Sequence, residues 1–98
     1  MTKHIILWTL KEECDKEKVK REMKENLEAL MGKIPGLLSI CVYTEGLPTS
    51  NADVCLDSCF ENPEALKRYA VHPEHVAVAD QFVRPYTSSR TCMDFEVE

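Results

Sequence analysis

The segment YAVHPEHVAVAD, residues 69–80, holds one tyrosine and two histidines within seven positions. A neutral histidine can act as a general base near physiological pH, for example on a proton next to a carbonyl. A tyrosine that keeps its proton can donate a hydrogen bond to an oxygen that gains charge. Tyr69 and His75 therefore suit enolisation or aldol-type ring closure. The alternative is that both are interior residues whose polar tips the protein itself satisfies.

The proline at position 73 divides this segment into two helices. Pro73 lacks a backbone N–H group but suits the first position of a helix, and it moves the backbone of His72 out of the α region. We therefore predict a structural role for His72, which ends one helix and can cap the next. His75 falls in the first turn of the new helix, where the helix dipole disfavours its protonated form.

A metal site built from His72, Glu74 and His75 is a further possibility. Histidine ligands on a zinc-binding helix are usually four residues apart, and the only candidates for a third ligand are Asp80 and His4. The sequence therefore predicts no metal at this segment, and no cofactor.

The five cysteines do not suggest a metal site or a disulfide either. Cys55 and Cys59 lie in an alternating, strand-like stretch, which would place them about 13 Å apart. That distance is too long for a disulfide, and no CxxC motif is present. We expect these two cysteines to be reduced and buried in the core.

Length and charge narrow the class of protein. The chain of 98 residues has a net charge of -5, so we expect one domain, 1–98, with neither nucleic acid nor a membrane surface as partner. No apolar stretch reaches the roughly 18 to 20 residues of a membrane span, and no secretion signal is recognised, which leads us to expect a cytoplasmic protein. Because a chain this short buries a small core, we expect a partner chain.

Hydrophobic periodicity predicts the elements that position these residues. Asp15 is the predicted N-cap of a long amphipathic helix that stops at Gly32 and Pro35, and Asn62 caps a later helix that starts with Pro63. The predicted order is strand, helix, strand, strand, helix pair, strand; the strands are 3–10, 37–44, 52–60 and 91–97. This is an α+β, ferredoxin-like βαββαβ protomer, a four-stranded antiparallel sheet with helices on one face.

The first strand, KHIILWTL, is apolar on both faces, so both faces must be covered. In one register His4, Ile6, Trp8 and Leu10 lie on the face away from the helices, where a second copy of the chain could cover them. In the other register they line a cavity between sheet and helices, and His4 approaches Tyr69 and His75. Near the last strand, Arg84 and Arg90 flank a predicted loop and could reach an acidic ligand.

The stretches KHIILWTL, KIPG, LKRYAVHPEHVAVAD and RTCMDFEV together resemble the Dabb family of stress-responsive dimeric α/β-barrel proteins, over essentially the whole chain. The resemblance implies a ferredoxin-like protomer whose sheet packs against that of a second subunit to form a dimeric α/β barrel. Membership of this family would predict the fold of the chain far better than its chemical activity.

A plant branch of that family contains polyketide-cyclising enzymes, in which a tyrosine and a histidine act on the substrate. The matching residues here are Tyr69 and His75, whereas two other polar pocket positions of that branch are Leu27 and Val54. The resemblance thus implies a mostly apolar pocket, and we expect it to be lined by His4, Ile6, Trp8, Leu27, Val54 and Val76. Three functions follow as hypotheses: a homodimer that binds a small apolar or carbonyl ligand, a cofactor-free acid–base enzyme, or a dimeric interaction module without a ligand.

Overall fold

The computed structural model describes all 98 residues and contains four strands and three α-helices. The elements are β1 (Thr2–Leu10), α1 (Lys16–Glu28), β2 (Leu37–Tyr43), β3 (Val54–Phe60), α2 (Pro63–Val71), α3 (Pro73–Val78) and β4 (Thr87–Glu96). The strands form one antiparallel sheet in the order β2-β3-β1-β4. This is the ferredoxin-like fold, so the predicted fold class is confirmed. None of the helices has the length and apolar character needed to span a membrane.

The register of β1 shows which of its faces meets the helices. His4, Ile6, Trp8 and Leu10 are all buried on the helix side of the sheet, in one core with α1 residues such as Met23. The register that placed them on the opposite face is therefore wrong. The alternate residues of β1, Lys3, Ile5, Leu7 and Thr9, face the other way.

The first helix begins as predicted but ends earlier. The Asp15 side chain accepts a hydrogen bond from the Lys18 N–H at 3.3 Å. The helix stops at Glu28 rather than at Gly32, because the N–H groups of Met31 and Lys33 bond to carbonyls three residues back, which tightens the chain into turns.

The last strand begins at Thr87, four residues before the predicted start, because it pairs with β1 up to Leu10. The segment 84–90 is therefore not simply a loop. A π-helical turn, Ala79–Val83, and a 3₁₀ turn, Arg84–Tyr86, connect α3 to β4. Because β4 is an edge strand, its residues are exposed on both faces apart from the half-buried Thr87.

The open face is the side of the sheet away from the helices. Its exposed apolar side chains are Leu7, Tyr43, Met93 and Phe95, which are 38 to 66% exposed. Lys3 and Asp57, two charged residues of this face, form an ion pair with each other. The open face is therefore a largely apolar surface within a chain of net charge -5.

All five cysteines are free. Cys59 is buried, as expected, but Cys55 is only partly buried, although both lie on the same face of β3. Cys92 on β4 is exposed.

Candidate functional site

A cavity of about 650 Å³ lies between the sheet and the helices. Apolar side chains from β1, α1 and α2 form much of its lining, among them Ile6, Trp8, Leu27 and Leu66. Tyr69 and His75 also line this cavity. The site therefore combines apolar side chains with polar ones.

Tyr69 is held by the cap and the packing of α2. The Asn62 side chain accepts a hydrogen bond from the Ala65 N–H at 2.8 Å, and Pro63 occupies the first turn. Ala65 and Tyr69, four residues apart, form the buried face of α2. The Tyr69 ring meets Phe60 of β3 edge-on, with 4.9 Å between the ring centroids.

The turn at His72 and Pro73 brings His75 against Tyr69. His72 has an extended backbone, with φ -67° and ψ 133°, and its Nδ1 accepts a hydrogen bond from the Glu74 N–H at 3.1 Å. The imidazole of His72 is thus engaged in capping α3. His75 lies in the first turn of α3, and its ring is tilted 33° to the Tyr69 ring with 4.1 Å between the centroids.

Two buried polar atoms in this site have no hydrogen-bond partner: the Tyr69 Oη and the His75 Nδ1. Buried polar groups are nearly always paired, and an unpaired one costs about 1–3 kcal/mol. The interpretation in which the protein satisfies both polar tips does not hold for these two atoms. Both atoms belong to residues that line the cavity.

Burial shifts both groups away from their charged forms. It raises the pKa of Tyr69 well above the ordinary value of 10.0. Burial also lowers the pKa of His75 below 6.5. The backbone of Ala70 partly opposes this lowering of the pKa, and the charges of Arg84, His4 and Arg90 reinforce it. Near neutral pH the tyrosine therefore keeps its proton and the imidazole is neutral.

The lowered pKa of His75 predicts a pH dependence of stability. Because the unfolded chain binds a proton at His75 more readily than the native state, the free energy of unfolding should fall as pH drops below about 6.5. His75→Gln cannot titrate there, so the variant should lose less stability between pH 7.5 and pH 5.5 than the wild type in urea unfolding. His4 and His72 are present in both proteins, so the comparison isolates the contribution of His75. Equal losses in the two proteins would contradict the prediction.

The structure places most of the expected pocket residues at the cavity. His4, Ile6, Trp8 and Leu27 line it. Val54 and Val76 do not, which corrects the expected lining. Val54 is enclosed in the core at the start of β3, and Val76 follows His75 on a helix, so it points about 100° away from it.

Polar residues before or on β4 also line the cavity, among them Arg84, Arg90, Cys92 and Asp94. The sequence indicates the two arginines, but it does not indicate Cys92 and Asp94 as site residues. The alternation of the last strand indicates that those two share a face. It does not reveal that His4 of β1 lies opposite Asp94.

The ferredoxin-like fold, with a cavity between the sheet and the helices, is shared by a broad class of proteins. Within that class, residues 2–97 match the sequence model of the stress-responsive A/B barrel domain, Dabb. The chain therefore belongs to the Dabb family. Among curated proteins, none matches it significantly.

Solved structures of similar chains share the fold along their whole length. A dimeric ferredoxin-like protein of unknown function from Bacteroides fragilis is 35% identical, with 98% of this chain and 95% of that chain covered and a TM-score of 0.89. A Dabb family protein from Mesorhizobium loti is 18% identical, with 99% and 96% covered and a TM-score of 0.79. The hydroxynitrile lyase from Passiflora edulis is 14% identical, with 99% and 93% covered and a TM-score of 0.83.

Proposed function

We propose that the protein is a homodimer in which each chain binds a small, mostly apolar molecule that carries a carbonyl group. The observation that carries this proposal is a pair of unpartnered buried atoms, Tyr69 Oη and His75 Nδ1, on two residues that line one cavity. A ligand oxygen that accepts a hydrogen bond from Tyr69 would remove the cost of that unpaired donor.

The size and lining of the cavity support a ligand of this class. Its volume of about 650 Å³ is within the roughly 300 to 1,000 Å³ of usual ligand sites. Aliphatic and aromatic side chains would hold the apolar body of the ligand, and the Tyr69–His75 pair would orient its polar group. A cavity of this size argues against the interaction module without a ligand.

The homodimer is proposed to form through the open face. Leu7, Tyr43, Met93 and Phe95 give it an apolar surface, which a soluble monomer seldom exposes as one patch. The ion pair of Lys3 and Asp57 leaves little unpaired charge for a second copy to bury. The Bacteroides fragilis protein, at 35% identity, is described as dimeric, which supports the same assembly here.

Trp8 offers a direct test of ligand binding, since it lines the cavity and is the only tryptophan of the chain. We expect saturable quenching of its fluorescence by acetophenone and other simple aryl ketones. Tyr69→Phe should weaken binding about 10-fold, the equivalent of one lost hydrogen bond. Tyr43→Phe makes the same chemical change on the open face and should bind as the wild type does. Quenching that never saturates, or equal affinities in the two variants, would refute the proposal.

A second candidate function is cofactor-free proton transfer on a bound carbonyl compound. It is favoured by the neutral imidazole of His75 lying beside a protonated tyrosine. His75 would take the proton from the carbon next to the carbonyl, and Tyr69 would stabilise the resulting enolate oxygen through its hydrogen bond. The Passiflora edulis lyase supports this candidate only at the level of the fold, at 14% identity.

Deuterium exchange separates a binder from an enzyme. An enzyme should accelerate exchange at the methyl group of acetophenone in D₂O, as measured by NMR. His75→Ala should abolish the acceleration while the Trp8 titration still reports binding within a few-fold of the wild type. No acceleration by the wild-type protein would leave ligand binding as the function and exclude this reaction.

A further inference from the structure

A second cluster of polar side chains lies at the sheet edge of the cavity, formed by His4, Cys92 and Asp94. His4 of β1 is directly opposite Asp94 of β4, and Cys92 precedes Asp94 by two residues on the same face. The pairing of β1 with β4 thus brings one imidazole, one thiol and one carboxylate together. Their donor atoms all lie within 4.8 Å of one another.

The spacing of these donor atoms is close to that of a tetrahedral metal site. The Cys92 Sγ is 3.6 Å from the His4 Nδ1 and 3.4 Å from the Asp94 Oδ1. Zinc bonds of about 2.3 Å to sulfur and about 2.0 Å to nitrogen or oxygen, set at tetrahedral angles, separate such donors by about 3.3 to 3.6 Å. The two sulfur distances already fit.

The third distance, 2.5 Å between the His4 Nδ1 and the Asp94 Oδ1, is that of a hydrogen bond. It would have to widen by about 1 Å to admit a metal ion between the two atoms. Asp94 can supply that movement, because its side chain is 45% exposed at the sheet edge. His4 is buried and would stay in place.

We propose that His4, Cys92 and Asp94 bind one Zn²⁺ ion, with a fourth coordination position that faces the cavity. Mixed nitrogen, sulfur and oxygen donors suit this ion, and three protein ligands with one open position are typical of zinc sites that also bind a substrate or water. A ligand oxygen in the open position would be polarised by the metal.

The same three residues are not arranged as a cysteine nucleophile with a histidine base. Such a base uses one ring nitrogen for the thiol and the other for the carboxylate. Here the thiol and the carboxylate both meet the His4 Nδ1.

The metal site is independent of the proposed ketone binding and of the proposed dimer. Tyr69 and His75 are not among its ligands, although the ring centroids of His4 and Tyr69 are only 6.2 Å apart. The cluster lies on the helix side of the sheet, so packing at the open face would not cover it.

The test is titration of the metal-free, reduced protein with Zn²⁺ by calorimetry. We expect one ion per chain, and a loss of affinity of at least about 10-fold to 100-fold in Cys92→Ser and in Asp94→Asn. Both changes lie on the exposed edge strand and should leave the fold intact by circular dichroism. Cys55→Ser and Glu96→Gln are the matched controls, because they alter a cysteine and an acidic residue outside the cluster.

Co²⁺ adds a readout that depends on the ligand type. The wild type should show the intense visible bands of a tetrahedral cobalt site together with a thiolate-to-cobalt charge-transfer band, and Cys92→Ser should lack the latter. The proposal is overturned if the wild type binds no Zn²⁺. It is equally overturned if Cys92→Ser and Asp94→Asn bind it as the controls do, or if Cys55→Ser is the variant that loses the charge-transfer band.

Discussion

Replacement of Leu7 with lysine is expected to convert the proposed homodimer into a folded monomer. Leu7 is a central residue of the open face, paired with Cys55 on one side and Thr91 on the other. It is 41% exposed in the single chain, so lysine at this position reaches water in a monomer and should not disturb the core. In a dimer built on the open face it would be buried without a partner charge.

The expected size of the effect follows from the symmetry of the proposed dimer. A two-fold interface brings the same surface of both chains together, so each Leu7→Lys dimer would bury two new charges. Burial of one unpaired charge costs about 3–5 kcal/mol, so the two charges together should weaken the dimer by at least roughly 10⁴-fold. Sedimentation velocity over a range of protein concentrations measures this change directly.

Val71→Lys is the matched control for Leu7→Lys. Val71 is 75% exposed, more than Leu7, but it lies at the end of α2 on the helix side of the sheet. The Val71→Lys variant should therefore remain dimeric. A wild-type chain that is monomeric at micromolar concentration, or a Leu7→Lys variant as dimeric as Val71→Lys, would contradict assembly through the open face.

The parts of the fold that local chemistry controls could be predicted from the sequence. Asp15 and Asn62 begin helices at their predicted positions because a cap is a bond to an N–H three residues away. The element order is likewise read from local periodicity. The sequence does not decide which face of β1 meets the helices, because both faces are apolar; the packing of Trp8 under the helices decides it.

The candidate site was predictable in part for the same reason. Tyr69 and His75 are six residues apart, and the proline between them indicates the turn that brings their rings together. The contact between His4 and Asp94 joins residues ninety positions apart. It depends on which strands become neighbours, and no local pattern in either strand indicates its partner.

Replacement of Gly36 with alanine should destabilise the protein by about 2–5 kcal/mol and disturb the candidate site. Gly36 has a φ of +85°, and a Cβ there would come within 2.5 Å of the Ala65 Cβ. The left-handed backbone costs an alanine about 1–2 kcal/mol, and overpacking adds about 1–3 kcal/mol. The Gly36 carbonyl also accepts a hydrogen bond from the Glu61 N–H at 2.9 Å, which holds the start of α2 close to this glycine.

Gly32→Ala separates the cost of the left-handed backbone from the cost of overpacking. Gly32 has a φ of +87°, but a Cβ added there would meet no atom within 4 Å. It should lose only the backbone contribution of about 1–2 kcal/mol. Since Ala65 lies one turn before Tyr69 on the buried face of α2, relief of the clash in Gly36→Ala must displace the helix that carries the tyrosine. We therefore expect weaker ketone binding in the Trp8 titration for Gly36→Ala but not for Gly32→Ala. Equal free energies of unfolding for the two variants in urea would mean that the approach of Gly36 to Ala65 does not constrain α2.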